Sequence, residues 1–351
     1  FFRLVSTSIE AREVIADGKM AILMGIEASE LFDCGIRDIC TKETIETQLQ
    51  KVYNAGVRTM YPTHRFDNQF GGARQEDGFI NVGQWLATGR FFETEVCDAE
   101  TRGRNFVSGF PLIGNVPVIK DILDMIGLNP VYDETQPLCN QHGLSDLGVY
   151  LINRMIDMGM IIEMDHMSTK TANAVMDIVK ARHYSGVISG HSWLNSAQDG
   201  SPHKVQKGIA TQGGILAPYN SPSTSLQGGI DRYLNLVENT PFLNGVPFST
   251  DMGGIGNQAP ARADAATNPL LYPFTTEEGI QIDKQVSGNR TFDLNNEGLA
   301  HYGLVADHIQ DIREQTPARI YDSVMNSAEA YLQMWKRAES NNDSQYVNPN
   351  N

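Results

Sequence analysis

At 351 residues, with 41% hydrophobic and 20% charged side chains, the chain has enough apolar material for one large α/β barrel or two ordinary domains. A formal charge of −15, a pI near 4.9 and the lack of a basic stripe argue against nucleic acid as a partner. No run of about 18 apolar residues is present, so nothing in the sequence reads as a membrane span.

The first residues, Phe1-Phe2-Arg3-Leu4, are neither an initiator methionine nor a signal peptide, and the chain as given reads as starting downstream of its gene's start. The first apolar run, Met20 to Ile26, stops at Glu27. A helical pattern follows from Thr41 to Tyr53, then a run from Val57 to Pro62 that ends near His64. Phe66 to His142 breaks the rhythm: it is long, Gly-rich and aromatic, and reads as an insertion at one end of a barrel. From Leu144 to Met158, apolar residues recur at three or four, with Ser145 or Asp146 at the capping position. The run Met160 to Met164 ends at Asp165-His166, and a helix is expected over Thr171 to Arg182. Gly186 to Ser189 ends at His191, Gly214 to Pro218 at Tyr219, and Val246 to Thr250 at Asp251. Gly253 to Phe292 reads as a long ordered loop. Pro317 to Glu339 reads as a helix with Ile320, Val324, Ala328, Leu332 and Trp335 on one face, and Ser340 to Asn351 as a polar tail.

Short apolar runs bounded by Gly and Pro and alternating with helices predict a parallel sheet, in α/β architecture of the (β/α)₈ or TIM-type barrel. Residues 1–339 then form the barrel, with 66–142 and 253–292 as its long loops. Six strand candidates stand where eight are needed. The expectation is that the first one or two strands lie outside the chain, with an upstream segment or a partner chain completing the barrel and covering its open sheet edges.

The four cysteines, Cys34, Cys40, Cys97 and Cys139, form no Cys-x-x-Cys pair, which disfavours a zinc ribbon. Three pairings are possible, and one or two disulfides are expected if the protein is exported. Acidic composition fits a secreted or periplasmic enzyme, while four free thiols would fit the cytoplasm.

Glu27, His64, His166, His191 and Asp251 each follow an apolar run, which places all five on the C-terminal rim of a parallel barrel, where such folds carry their chemistry. Each has a plainer explanation: a satisfied core histidine, a helix cap for Glu27, an Asx-turn for Asp251. Their recurrence in one local context outweighs those explanations and points to a divalent metal held by nitrogen and oxygen donors. His142, His183, His203, His301 and His308 lack that context. His301 and His308 read as helix residues, and Met155, Met158, Met160, Met164 and Met167 as core packing.

The order of motifs resembles the membrane dipeptidase (renal dipeptidase, peptidase family M19) branch of the amidohydrolase superfamily. The resemblance is carried by Gly143-Leu144-Ser145-Asp146-Leu147-Gly148, Asp165-His166-Met167-Ser168, Ser189-Gly190-His191-Ser192 and Ser249-Thr250-Asp251-Met252-Gly253-Gly254. It implies a metal-dependent hydrolase that cleaves a small amide or dipeptide-like molecule with a metal-activated water at a dinuclear Zn²⁺ centre. By the same resemblance Glu27 bridges the metals, His166 and His191 ligate the second ion, Asp251 takes the proton of the bridging hydroxide, and His64 polarises the scissile carbonyl. Two departures stand out. No His-x-Asp occurs anywhere in the chain, and Ser201-Pro202-His203-Lys204 stands where the family has an arginine that reads the dipeptide carboxylate. These departures motivate an alternative, a catalytically degenerate barrel whose aromatic loops bind a sugar or peptide. A phosphate-ester hydrolase fits poorly, since no Lys/Arg cluster accompanies the rim.

Overall fold

The computed structural model describes residues 1–97, 107–109, 116–192, 203–252 and 258–340. Internal packing divides the chain into two compact units. The first comprises Phe1–Ser189, Asn195–Gly214 and Leu332–Asn351; the second comprises Gly190–Leu194 and Ile215–Tyr331.

The first unit opens with β1 (Phe2–Val5), α1 (Ser8–Ala16), β2 (Met20–Ile26), α2 (Lys42–Asn54) and β3 (Val57–Met60). Next come α3 (Phe79–Thr88), β4 (Thr94–Val96), α4 (Pro117–Met125), β5 (Leu138–Asn140) and α5 (Asp146–Asp157). It continues through β6 (Ile161–Glu163), α6 (Thr169–Ala181), β7 (Val187–Ser192) and α7 (His203–Thr211). The strands β1, β2, β3, β6 and β7 lie side by side in that order, and each of these pairings is parallel. At Gly190 the strand β7 passes into the second unit, where the Tyr219 N–H donates to the Ser192 carbonyl at 2.8 Å. This adds β8 (Ile215–Pro218) as the sixth strand. Ser249 then bridges Tyr219 in parallel, with the Ser249 N–H on the Pro218 carbonyl at 3.0 Å.

The expected α/β architecture, a parallel sheet with helices between its strands, is therefore present. Phe2–Val5 is a strand that apolar runs alone do not reveal. Conversely, the run ending at Asp251 contributes a single bridge and no full ladder.

Local sequence explains where the helices start. Thr41 caps α2 in a reciprocal box with Thr44, Ser145 accepts the Gly148 N–H at the start of α5, and Ser168 accepts the Thr171 N–H at the start of α6. The helices turn apolar stripes inward: Ile45 and Leu49 from α2, Leu151, Ile152, Met155 and Ile156 from α5, and Val175, Met176 and Val179 from α6. Met155, Met160, Met164 and Met167 are fully buried core residues as expected, and Met158 caps the end of α5.

The Gly143–Gly148 motif has a structural reason. The Ser145 N–H donates to the Phe70 carbonyl at 3.0 Å, its hydroxyl donates to the Gln69 carbonyl at 2.5 Å, and a Cβ on Gly148 would stand 2.0 Å from the Phe70 oxygen. The motif thus seats the start of the insertion directly on α5. Within the insertion the organising group is a buried carboxylate. Asp67 accepts from the Ala73 N–H at 2.8 Å, Asn140 at 2.7 Å and Gln84 at 2.9 Å. Burial raises its pKa above the usual carboxylate range despite those donors. Disulfides join Cys34 to Cys40 and Cys97 to Cys139, the second beside the β4–β5 pair. This leaves no free cysteine in the chain and resolves the pairing that spacing leaves open.

The second unit continues with α8 (Ser223–Val237), then β9 (Phe274–Thr275), β10 (Gln281–Ile282), β11 (Gln285–Ser287) and β12 (Arg290–Phe292). It goes on through α9 (Leu294–Glu297), α10 (Val305–Gln315), α11 (Ala318–Met325) and the start of α12 (Ser327–Ser340). The described part of the 253–292 loop is thus two small antiparallel pairs, β9 with β10 and β11 with β12. The C-terminal helix is two helices, α11 and α12; Ile320, Val324, Leu332 and Trp335 are buried, whereas Ala328 is exposed and Ala330 is buried in its place. The tail beyond Ser340 lies outside the described residues.

Candidate metal centre

Three of the five rim residues meet in the first unit. Glu27 follows β2, His64 follows β3 across Pro62-Thr63, and His166 follows β6. His64 Nε2 lies 3.3 Å from Glu27 Oε1, and His166 Nε2 lies 3.2 Å from the same oxygen. The two imidazoles meet edge to face with centroids 4.4 Å apart. One donor atom from each of the three residues lies within 4.8 Å of the others.

These spacings separate two explanations. A charge-assisted N–H···O⁻ hydrogen bond closes to about 2.7–2.9 Å. Two ligands each about 2.1 Å from a tetrahedral zinc stand roughly 3.4 Å apart. The observed 3.2 and 3.3 Å lie close to that ligand edge and at or just beyond the long end, about 3.2 Å, of an ordinary N–H···O hydrogen bond; the convergence of both imidazoles on one oxygen favours the ligand reading. Two nitrogens and a carboxylate oxygen are also the donor set that zinc takes at catalytic sites with an open position.

Surrounding groups orient the donors. Ser29 Oγ lies 3.3 Å from His64 Nδ1 and accepts the Arg65 N–H at 3.2 Å, so the face of His64 turned away from Glu27 has a fixed neighbour. Asn68 ties that corner together, donating to the carbonyls of Ser29 at 3.1 Å and Pro62 at 2.9 Å. The His166 carbonyl accepts the Arg74 N–H at 2.7 Å, which joins the insertion to the ligand loop. His166 itself has φ 64°, a left-handed conformation that costs a non-glycine residue about 1–2 kcal/mol and aims its ring back toward Glu27.

Spacing to strand ends did not single out Tyr61, Glu163 and Asp165, yet they belong to this neighbourhood. Tyr61 has its ring 6.5 Å from His64 and 6.1 Å from His166. Burial, followed by the charges of Glu163, Asp165 and Glu27, holds its phenol far above the ordinary tyrosine range. Glu163 and Asp165 are buried, and Ser189 donates to Asp165 at 2.5 Å.

His191 and Asp251 belong to the second unit and are not among the three donors. His191 is buried on β7, one residue before the Ser192 carbonyl that holds β8. Asp251 has φ 44°, again left-handed, two residues beyond the Ser249 bridge. Burial first, and then the Asp251 charge, raises the pKa of Tyr219. Residues 193–202, in the region where the family arginine would fall, are outside the described residues.

Three of the other histidines have structural roles. His142 pairs with Glu93 at 2.7 Å and, by that hydrogen bond, lowers the Glu93 pKa. His301 caps a 3-10 turn rather than sitting inside a helix, and His308 is buried in α10.

The fold has known counterparts. An amidohydrolase from Pseudomonas aeruginosa superposes with a TM-score of 0.51 at 13% identity, over 97% of this chain and 79% of that one. A metallopeptidase from Rhodobacter sphaeroides, liganded with a phosphinate mimic of the dipeptide L-Ala-D-Ala, gives 0.51 at 12%, over 96% and 69%. The dipeptidase AC, a metallopeptidase of family M19, gives 0.51 at 11%, over 96% and 71%. No family model matches the sequence, and no curated protein does. The fold is therefore that of the amidohydrolase and M19 dipeptidase structures, as the motif order implied.

Proposed function

We propose that this chain is a metal-dependent hydrolase acting on a small amide or dipeptide-like substrate, with Glu27, His64 and His166 holding a divalent ion. One observation carries the reading: two imidazole Nε2 atoms converge on one carboxylate oxygen at 3.3 and 3.2 Å, the spacing of metal ligands, at the ends of adjacent parallel strands. Zinc suits this borderline set of nitrogen and oxygen donors. His64 thereby takes a ligand role in place of the carbonyl-polarising one that the resemblance implies. A bound ion would supply Lewis-acid polarisation of the scissile carbonyl and a water acidified toward neutral pH.

The chain's own residues prepare that chemistry. Ser29 holds His64 through Nδ1, leaving Nε2 for the ion. Asp251 is the proposed proton acceptor and later donor to the leaving amine. His191 is the proposed ligand of a second ion in a dinuclear centre. A dipeptide-like amide is the favoured substrate class because the Rhodobacter metallopeptidase of the same fold is liganded with a dipeptide mimic.

The two disulfides support an oxidising, secreted or periplasmic setting. Among the described residues β1 pairs only with β2, and a further strand from an upstream segment or a partner chain is proposed for its other edge.

Metal content by elemental mass spectrometry, combined with hydrolysis of a dipeptide panel, tests the reading. At least one zinc per chain and turnover are expected, with both lost in Glu27→Gln and His166→Ala. A metal-free wild type, or a Glu27→Gln variant with full metal content, overturns it.

A further inference from the structure

The metal reading leaves Tyr61 without a task, although it stands among all three donors. Its position follows from sheet register. Met60 is opposite Ile26 on one side and Ile162 on the other. The next residue on each strand, Glu27, Tyr61 and Glu163, therefore forms one lateral row, and lateral neighbours in a sheet face the same way. Tyr61 holds both sides of that row. Its N–H donates to the Ile26 carbonyl at 3.0 Å, immediately before Glu27, and its hydroxyl is hydrogen-bonded to Glu163. Its ring packs at an angle on both histidines, at 6.5 Å from His64 and 6.1 Å from His166.

We propose that Tyr61 is a positioning residue of the metal centre, fixing Glu27, His64 and His166 in their converging arrangement from its place between Glu27 and Glu163. The inference rests on the reading that these three residues hold a metal. Three donors from three separate strands converge only if their side chains are held against rotation. A ring packed beside the touching pair of imidazoles, 6.5 Å from His64 and 6.1 Å from His166, and anchored at its far end by a buried carboxylate does that for both. The backbone bond to Ile26 does it for the turn that aims Glu27. Groups that orient ligands in this way typically govern metal affinity by ten- to a hundredfold.

The test is Zn²⁺ affinity of the full chain, measured by competition with a chromophoric chelator, together with the absorption spectrum of the Co²⁺ form. Tyr61→Phe keeps the ring and loses the hydroxyl; about tenfold weaker Zn²⁺ binding and an altered Co²⁺ spectrum are expected. Tyr61→Leu also loses the ring and is expected to weaken binding about a hundredfold. Glu163→Gln added to Tyr61→Phe should cost nothing further, because both act through one hydrogen bond. A merely structural role would instead lower the unfolding midpoint of the metal-free protein and leave the affinity and the Co²⁺ spectrum of the folded chain unchanged. If Tyr61→Phe and Tyr61→Leu bind Zn²⁺ like the wild type while Glu27→Gln does not, the inference fails and the metal reading stands. If the wild type takes up no more Zn²⁺ than Glu27→Gln, the metal reading fails and this inference with it.

Discussion

His308 gives the sharpest stability prediction. It sits on α10 with 2% of its surface exposed, its ring edge-on to Phe248 at 5.2 Å, and its Nε2 has no hydrogen-bond partner among the described residues. Burial dominates over the opposing pull of Asp311, one turn along the helix, and lowers the imidazole pKa from 6.5 to about 4. The sign follows from proton uptake. Below pH 6.5 the unfolded chain binds a proton that the folded chain refuses until about pH 4, so the stability His308 contributes is complete above 6.5 and is lost as the pH falls toward 4. The difference between the two values amounts to roughly 3 kcal/mol, with about 2 kcal/mol already gone at pH 5. Urea unfolding at pH 8, 6, 5 and 4 of the wild type and of His308→Gln measures it. Carboxylates elsewhere affect both proteins alike, so the quantity to read is the difference between the two profiles. The wild type should lose about 3 kcal/mol more than the variant between pH 8 and 4. Parallel profiles would refute the reasoning, for they would mean that His308 is protonated in the folded protein or free of burial cost.

Three further outcomes are expected. Cys97→Ser with Cys139→Ser opens a loop with a sequence separation of 42 and should cost about 4 kcal/mol by chain entropy, read from the denaturant midpoint in oxidising buffer. Ser29→Ala removes the group 3.3 Å from His64 Nδ1 and should weaken Zn²⁺ binding about tenfold in a chelator competition, with unchanged metal-free stability. At His166, with φ 64°, the usual order of alanine and glycine should invert: metal-free His166→Gly should be about 1 kcal/mol more stable than His166→Ala in urea, since both lose the same ring and only glycine relieves the backbone.

Hydrophobic runs between Gly and Pro were enough to place β2, β3, β6, β7 and β8; the last four are buried almost throughout and so must be apolar on both faces, whereas β2 is apolar throughout although only half-buried. The same rule could not find β1: Phe2-Arg3-Leu4-Val5 buries only Val5, so it has no continuous apolar signature. The 66–142 insertion was recognisable as an interruption but its organisation was not. It is built around Asp67, Gln84 and Asn140, and a polar hub has no hydrophobic period to detect. In the C-terminal helix the apolar spacing was right up to Val324. It missed at Ala328, beside the break where α11 ends at Met325 and α12 begins at Ser327, with Ala330 buried in its place, and held again at Leu332 and Trp335.

For the site, proximity to a strand end is what sequence can supply, and it supplied Glu27, His64 and His166. Orientation is a different kind of information. Whether His64 acts on a substrate carbonyl or on an ion depends on where its Nε2 points, and that is set by the Ser29 and Asn68 contacts from another strand end. The row Glu27–Tyr61–Glu163 depends on inter-strand register, and no single strand's sequence encodes register. The left-handed backbone at His166 and Asp251 was also hidden, because imidazole and carboxylate side chains do not mark such turns as glycine does. Two of the five rim residues thus occupy a backbone conformation that local propensity would give to another residue type. Phe32, Asp33 and His183 carry the same left-handed backbone, at about 1–2 kcal/mol each, so strain alone does not mark a site; what sets His166 apart is that its Nε2 meets Glu27 at 3.2 Å on the oxygen that His64 also approaches.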